Sequence, residues 1–306
     1  MAAMTTGGWT EEAEKALRGA RVPVRRHAPM ARRTSFGVGG PARIYLAPHA
    51  PEDLADAVAR LHAAGVPFDF LGAGSNLLVA DQGPSFVVIS TDALAAEPLI
   101  ASGTVRVQAG YSLPLLVKRT VAAGLSGIEF AEGIPASVGG AVKMNAGWHE
   151  GMFGQAVARL LTVTRAGVVE EIAAGPETFA YRRSPGLGDR CVLEATLALT
   201  PGDPKVLQSR VLEFRQHRVR TQPTGVKNAG CVFKNPPGDH AGRLIEACGM
   251  KGLVAGNAEV SAVHANFIVN KGGATCADIL HLIDQVRDKV LRETGVTLER
   301  EVIHWT

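Results

Sequence analysis

Two hydrophobic patterns alternate along the chain. Leu54, Val58 and Leu61 repeat at helical spacing behind Pro51, which suits a first helical position, and Gly65 can take the left-handed conformation that ends a helix. Leu113, Leu116, Val117, Thr120 and Val121 predict a second helix over 113–123, stopped by Gly124. Period-two or β-branched runs predict strands at 43–46, 68–71, 86–90 and 105–108. The runs 160–164 and 168–172 flank Arg165-Ala166-Gly167 as a hairpin, and 191–199 reads as a long strand.

Pro201-Gly202-Asp203-Pro204 breaks any element across it and marks the expected domain boundary. Beyond it a helix to about Arg218 is expected to bury Leu207, Val211 and Phe214 and to expose Arg210, Arg215 and Arg218. Helices over 241–248 and 276–294 bracket a strand at 266–270; Ile279, Ile283, Val286 and Val290 line the last helix and Gly295 stops it. Residues 1–20, with a weakly helical stretch at 11–17, read as a peripheral, dispensable extension. The expected domains are therefore 21–200, in two subdomains of about 21–90 and 91–200, and 201–306.

With 306 residues, 46% of them hydrophobic and 20% charged, the chain is long enough to bury a sizeable core. A net charge of +3 is too small to imply nucleic acid, although Lys and Arg cluster between 205 and 227 and point to a local anion site. Cys191, Cys231, Cys248 and Cys276 have neither C-x-x-C nor framework spacing, so free thiols in a reducing compartment are expected. The N-terminal stretch has no apolar export segment and no run of eighteen apolar residues occurs, so the expected location is cytoplasmic, off the membrane. No His, Asp or Glu grouping has ligand spacing, so no metal is expected. Neither repeats nor low-complexity tracts occur.

The chemistry centres on residues 127–147, where Gly127, Gly133, Gly139, Gly140 and Gly147 stand among small residues. Such backbone can approach an anionic or flat ligand closely. A second loop, Leu71-Gly72-Ala73-Gly74-Ser75-Asn76-Leu77, follows an apolar strand. Either loop alone reads as readily as a turn cluster. The third glycine of a Rossmann fingerprint is missing, so the pair does not predict a Rossmann site.

Together the two loops resemble the flavin-binding domain of the UDP-N-acetylenolpyruvoylglucosamine reductase family. The resemblance extends through Thr34–Arg43, Tyr181-Arg182-Arg183-Ser184, Asn228–Pro236, Gly242–Glu246, Val260–Phe267 and Leu298–Val302. It implies an α+β fold, with a two-subdomain FAD-binding domain of the vanillyl-alcohol-oxidase (PCMH) type and a C-terminal α/β substrate-binding domain closing over a nucleotide sugar at the flavin. It implies FAD and NADPH as cofactors, with Gly72, Ala73, Gly74, Ser75, Asn76, Leu77, Gly133, Ile134, Pro135, Ser137, Val138, Gly139, Gly140, Asn145, Ala146 and Gly147 binding the flavin.

The implied reaction is reduction of the vinyl ether of UDP-N-acetylglucosamine enolpyruvate to UDP-N-acetylmuramate, a step of peptidoglycan precursor synthesis. Hydride from reduced FAD reaches the β-carbon, negative charge develops at the carboxylated carbon, and an acid supplies the final proton. Arg182 matches the family's catalytic arginine, and its planar fork suits a carboxylate. Glu301 matches the catalytic glutamate, which burial would hold protonated. Cys231 stands where many members carry serine as the proton donor, and a thiol, with a reference pKa of about 8.5, is a competent acid there.

Read without the family, Arg182 is a surface arginine, Glu301 a strand-edge carboxylate and Cys231 a small core thiol. Asn235 resembles the substrate-binding asparagine. Lys227, with Arg215, Arg218 and Arg220, could meet the UDP diphosphate. The chain departs from the family's usual glycine at Ala136 and Asn257. It is also too short over 184–222 to hold the tyrosine-bearing loop of one class, which places it in the shorter class.

Two rivals stay open. A different FAD-dependent oxidase or dehydrogenase of the same fold would explain the loops but not Cys231 and Glu301. A non-catalytic flavin- or nucleotide-binding module would keep its flavin oxidised when NADPH is added. No obligatory protein partner is inferred.

Overall fold

The computed structural model describes residues 8–148 and 151–306. By contacts the chain divides into two compact units. The first holds the residues up to His27, with Arg43–Ala73 and Ser85–Gln216; the second holds Ala28–Ala42, Gly74–Pro84 and His217–Thr306.

The first unit contains two sheets. In one the strands run in the order Val24–Pro29, Pro41–Leu46, Val87–Ser90, Phe68–Leu71, and the last three pair in parallel. The helix Pro51–Ala63 lies against this sheet. Pro51 opens it, its first turn carries Glu52 and Asp53, and Leu54, Val58 and Leu61 are fully buried.

The other sheet is antiparallel, in the order Val169–Ala173, Val157–Val163, Cys191–Ala198, Thr104–Gln108, Leu99–Ala101. Its first two strands form the expected hairpin, and Gly167 supplies the left-handed residue of the turn at φ 83°. The edge strand Leu99–Ala101 was not legible, because all three of its residues are exposed and show no burial pattern. The helices Leu113–Ala122 and Val138–Lys143 pack into this sheet's core with Val105, Leu116 and Val138.

The N-terminal stretch differs from the expected peripheral extension. Its first seven residues lie outside the described ones, but Gly8–Ala16 is a helix whose Trp9 and Ala13 join Leu17 in the core around Leu54 and Val58. Trp9 is only 4% exposed. Burying so large an aromatic makes the segment part of the core.

The second unit is built on the antiparallel strands Val254–Ala255, Ala258–Val260 and Ile268–Asn270, covered by the helices Ala241–Ala247 and Cys276–Thr294. The long helix begins at a Thr275–Asp278 capping box, and its first amides, from Cys276 and Ala277, also donate to the Asp81 carboxylate at 2.8 and 3.2 Å. Gly295 ends it at φ 72°. Two earlier segments complete this unit. Phe36, Val38 and Leu78 are buried in its core, and Leu77–Val79 pairs in parallel with Ile303–Trp305.

This partition by contact differs from the expected boundary at residue 201. Pro204–Thr221 is one helix, and its residues as far as Gln216 belong to the first unit, where Leu207 is buried and Phe214 stacks edge-on against Trp148 at 5.5 Å. Val211 and Phe214 are only partly buried, and Arg218 is partly rather than fully exposed. Among the described residues no helix is long and apolar enough to cross a membrane, and no group of three or more His, Cys, Asp or Glu is placed to hold a metal ion.

Candidate active site

In the first unit Gly72, from the shorter glycine loop, lies against Ser137 of the longer one. A Cβ at Gly72 would come within 2.7 Å of Ser137 Oγ, so a larger residue there would require that side chain to shift. Ser137 is the N-cap of Val138–Lys143, and its hydroxyl accepts from the Gly140 amide at 3.4 Å. Gly139 lies against Ala109, where a Cβ would sit 2.8 Å from the alanine methyl.

The amides of the two loops are used differently. Val138, Gly139, Asn145 and Ala146 donate to the carbonyls of Tyr111, Ala109, Val142 and Ala141, so these amides hold the loop's shape. By contrast, no backbone hydrogen bond donated by Gly72, Ala73, Gly74, Ser75 or Asn76 is found among the described residues. Five consecutive unpaired donors fit a phosphate-bearing ligand such as FAD. Gly74 at φ 64° is packed against the Arg33 carbonyl in the second unit, and Asn76 donates its side-chain amide to the Glu301 carbonyl at 3.2 Å. Leu77 is buried as the first residue of a strand, a packing position.

Of the remaining residues expected at the flavin, Gly133 turns the chain at φ 73° between Ile134 and the short helix Glu129–Ala131. Gly147 faces the Gly151 carbonyl and Arg182 Nη1, which a Cβ would approach to 2.7 and 3.2 Å. Arg182 therefore lies beside the glycine-rich segment. It sits on a tight turn in which Ala180 and Arg183 exchange backbone hydrogen bonds at 2.9 and 3.3 Å, and its φ is 55°. A long side chain in that left-handed position costs about 1 kcal/mol or more where glycine would be unstrained. The guanidinium lies over the Tyr181 ring at 5.2 Å. Nothing in the sequence reveals this strain.

Asn145, expected at the cofactor, has its side chain committed elsewhere. It is buried, its Nδ2 donates to the Ala180 carbonyl at 2.9 Å and its Oδ1 accepts from the Gly154 amide at 2.9 Å. Glu129, in the same stretch, is a buried carboxylate that the sequence reading did not single out. Burial opposes its ionisation, but the Ser126 hydroxyl and the Gly127 amide, each donating at 2.7 Å, together with Arg210 hold it below the usual carboxylate range.

In the second unit Cys231 and Glu301 stand on two segments that pair. Phe233 and Arg300 form an antiparallel bridge, Lys234 N donates to the Glu299 carbonyl and Glu301 N to the Val232 carbonyl, both at 2.8 Å. Both site residues are partly exposed. The other three thiols are buried, and burial raises Cys191 to about 12 and Cys276 to about 11.

Asn266 holds the Val232–Phe233 stretch of the first of these segments. Its Oδ1 accepts from Phe233 N at 2.9 Å, its Nδ2 donates to the Phe233 carbonyl at 2.8 Å, and its own carbonyl accepts from Val232 N. The side chain thus imitates a strand neighbour, which is why the strand expected from 266 begins only at Ile268. Asn235 is exposed, and its Oδ1 accepts from the Ala241 amide at 3.1 Å, capping a helix. Lys227 lies with its stem along Gly37, and its backbone bridges Asn270.

Comparison with known proteins adds the class. The FAD binding domain family matches residues 42–173, and the family described as the C-terminal domain of UDP-N-acetylenolpyruvoylglucosamine reductase matches residues 222–305. The α+β fold, with an FAD-binding domain carrying the glycine loops and a separate C-terminal domain, defines a flavin-dependent oxidoreductase. A protein of Alkalilimnicola ehrlichii named UDP-N-acetylenolpyruvoylglucosamine reductase is 46% identical, over 91% of this chain and 93% of its own. One of that name from Moorella thermoacetica is 41% identical, over 94% and 95%. The crystal structure of the reductase from Thermus caldophilus superposes with a TM-score of 0.80 at 38% identity, covering 93% of this chain and 100% of that one. The chain belongs to the UDP-N-acetylenolpyruvoylglucosamine reductase family, whose members act in peptidoglycan synthesis.

Proposed function

We propose that this flavoenzyme reduces UDP-N-acetylglucosamine enolpyruvate to UDP-N-acetylmuramate in the cytoplasm with electrons from NADPH, and that Cys231, Glu301 and Arg182 carry the second half of the reaction. The observation that carries this reading is the pairing of 231–234 with 299–302, which sets a part-exposed thiol and a part-exposed carboxyl on adjoining segments of a family member. FAD, when bound, supplies the hydride.

The unpaired amides of Gly72–Asn76 would hold the cofactor's phosphates. Arg182 donates two hydrogen bonds to the substrate carboxylate and favours the negative charge that grows on the adjoining carbon. Glu301, on the segment that pairs with that of Cys231, is the second acid–base group of the step. The Cys231 thiol gives its proton to the carboxylated carbon and is re-protonated from solvent. Lys227 meets the nucleotide diphosphate, and the Asn235 carboxamide binds the substrate.

Anaerobic stopped-flow separates the steps. NADPH should bleach the flavin absorbance in wild type and in Cys231→Ala alike, and the enolpyruvyl sugar should restore it, with release of UDP-N-acetylmuramate, only in the wild type. Loss is expected to reach about 10²–10⁴-fold, the usual worth of a positioned acid. Equal impairment of both steps would refute the role of Cys231. Oxygen uptake without NADPH consumption would assign the chain to another oxidase of this fold.

A further inference from the structure

The turn that carries Arg182 is closed by the Ala180–Arg183 backbone pair and is anchored from outside. It exposes Tyr181 and Arg183, and its tip is in a conformation that arginine adopts at a cost. Three ties bind it to the end of the glycine-rich stretch. The Ser184 hydroxyl donates to the Val142 carbonyl, the Lys143 ammonium donates to the Gly188 carbonyl, and the Asn145 amide donates to the Ala180 carbonyl at 2.9 Å. The last of these reaches the turn itself, at its first residue. Asn145 is 2% exposed and stands at φ 41°, so its own backbone is bent to aim the side chain, while Gly154 N occupies its other end at 2.9 Å. A carboxamide suits this place because it donates and accepts at once, as neither aspartate nor leucine can.

We infer that Asn145 is a positioning residue for Arg182: it fixes the turn against the flavin-binding segment, so that the guanidinium stays in its strained, productive orientation beside Gly147. The inference rests on the proposed role of Arg182. Its consequence is that Asn145, although part of a glycine-rich cofactor motif, acts through the arginine rather than by a side-chain bond to the cofactor.

The variant Asn145→Gly removes the amide while keeping a residue that tolerates positive φ. It should retain flavin with wild-type stoichiometry, as read by absorbance and by fluorescence titration of the apoprotein. Its flavin reoxidation by the enolpyruvyl sugar should slow by about a hundredfold, the scale of a displaced catalytic group. The double variant Asn145→Gly, Arg182→Ala should be no slower than Arg182→Ala alone. Hydrogen exchange should quicken at the Gly154 and Arg183 amides before other parts of the first unit.

Should Asn145→Gly fail to fold, Asn145→Asp, which keeps the acceptor for Gly154 and loses the donor to Ala180, carries the same kinetic expectation, with exchange quickened at Arg183 and unchanged at Gly154. Multiplicative effects of the two single variants, or lost flavin affinity with an unchanged reoxidation rate in the flavin-loaded fraction, would overturn the inference. If Arg182→Ala itself reoxidises at the wild-type rate, it is instead the proposed role of Arg182 that fails.

Discussion

Glu129 shows what a single buried carboxylate contributes. Its carboxyl is held below its ordinary range because its two hydrogen bonds and Arg210 outweigh the burial that would raise it. A depressed native value means that the unfolded chain takes up a proton before the native one does. The contribution is therefore whole above the unfolded carboxyl value of about 4.3 and is lost as pH falls through the native value. Glu129→Gln should lower stability at neutral pH by about 1–3 kcal/mol, the cost of disturbing a buried charged hydrogen-bond set. It should also reduce the difference between urea midpoints at pH 7 and pH 3 relative to wild type; an unchanged difference would show that other groups govern acid unfolding. At this scale the sequence was least informative. Cys231, Glu301 and Arg182 were singled out because whole motifs surround them, whereas the bond from Asn145 to Ala180 and the strand mimicry of Asn266 depend on partners 35 and 33 residues away. No local pattern encodes such pairings.

Elements were read well where one periodicity dominated. The helix Pro51–Ala63 has a start signal, a buried stripe and a glycine stop in agreement, and the hairpin 157–173 has a turn that demands glycine. Reading failed where burial came from tertiary neighbours. The helix Gly8–Ala16 has few apolar positions, yet Trp9 fills the core beside Leu54 and Val58. Val138–Lys143 was hidden by its two glycines, which are poor helix formers but permit its close approach to Ala109. Trp9→Ala should destabilise the protein by about 3–5 kcal/mol, the range for emptying a buried aromatic site, as measured by guanidinium denaturation. A loss under about 1 kcal/mol would restore the view of this segment as a surface extension.

For the molecule as a whole, the order of domains along the chain is simpler than their assembly. The breakers at 201–204 correctly mark an interruption, but Gly202 N merely donates to the Gly124 carbonyl at 2.8 Å and the following helix stays with the first unit. The second unit in turn draws Phe36, Val38 and Leu78 from segments far upstream. A fragment of residues 201–306 should therefore lack part of its core and give a collapsed, poorly dispersed amide spectrum by NMR. A sharp, dispersed spectrum from that fragment would contradict the partition. The C-terminal family match alone, which begins at residue 222, would have suggested a separable module.

The parallel pairing of Leu77–Val79 with Ile303–Trp305 also sets a clock on biosynthesis. Asn76 and its partner Glu301 are 225 positions apart. At ribosomal speeds of about 5–20 residues per second, the wholly apolar strand waits roughly 10–45 s for its mate. Throughout that interval the nascent chain carries a wholly apolar segment without its partner strand, the kind of segment that invites pairing with other chains.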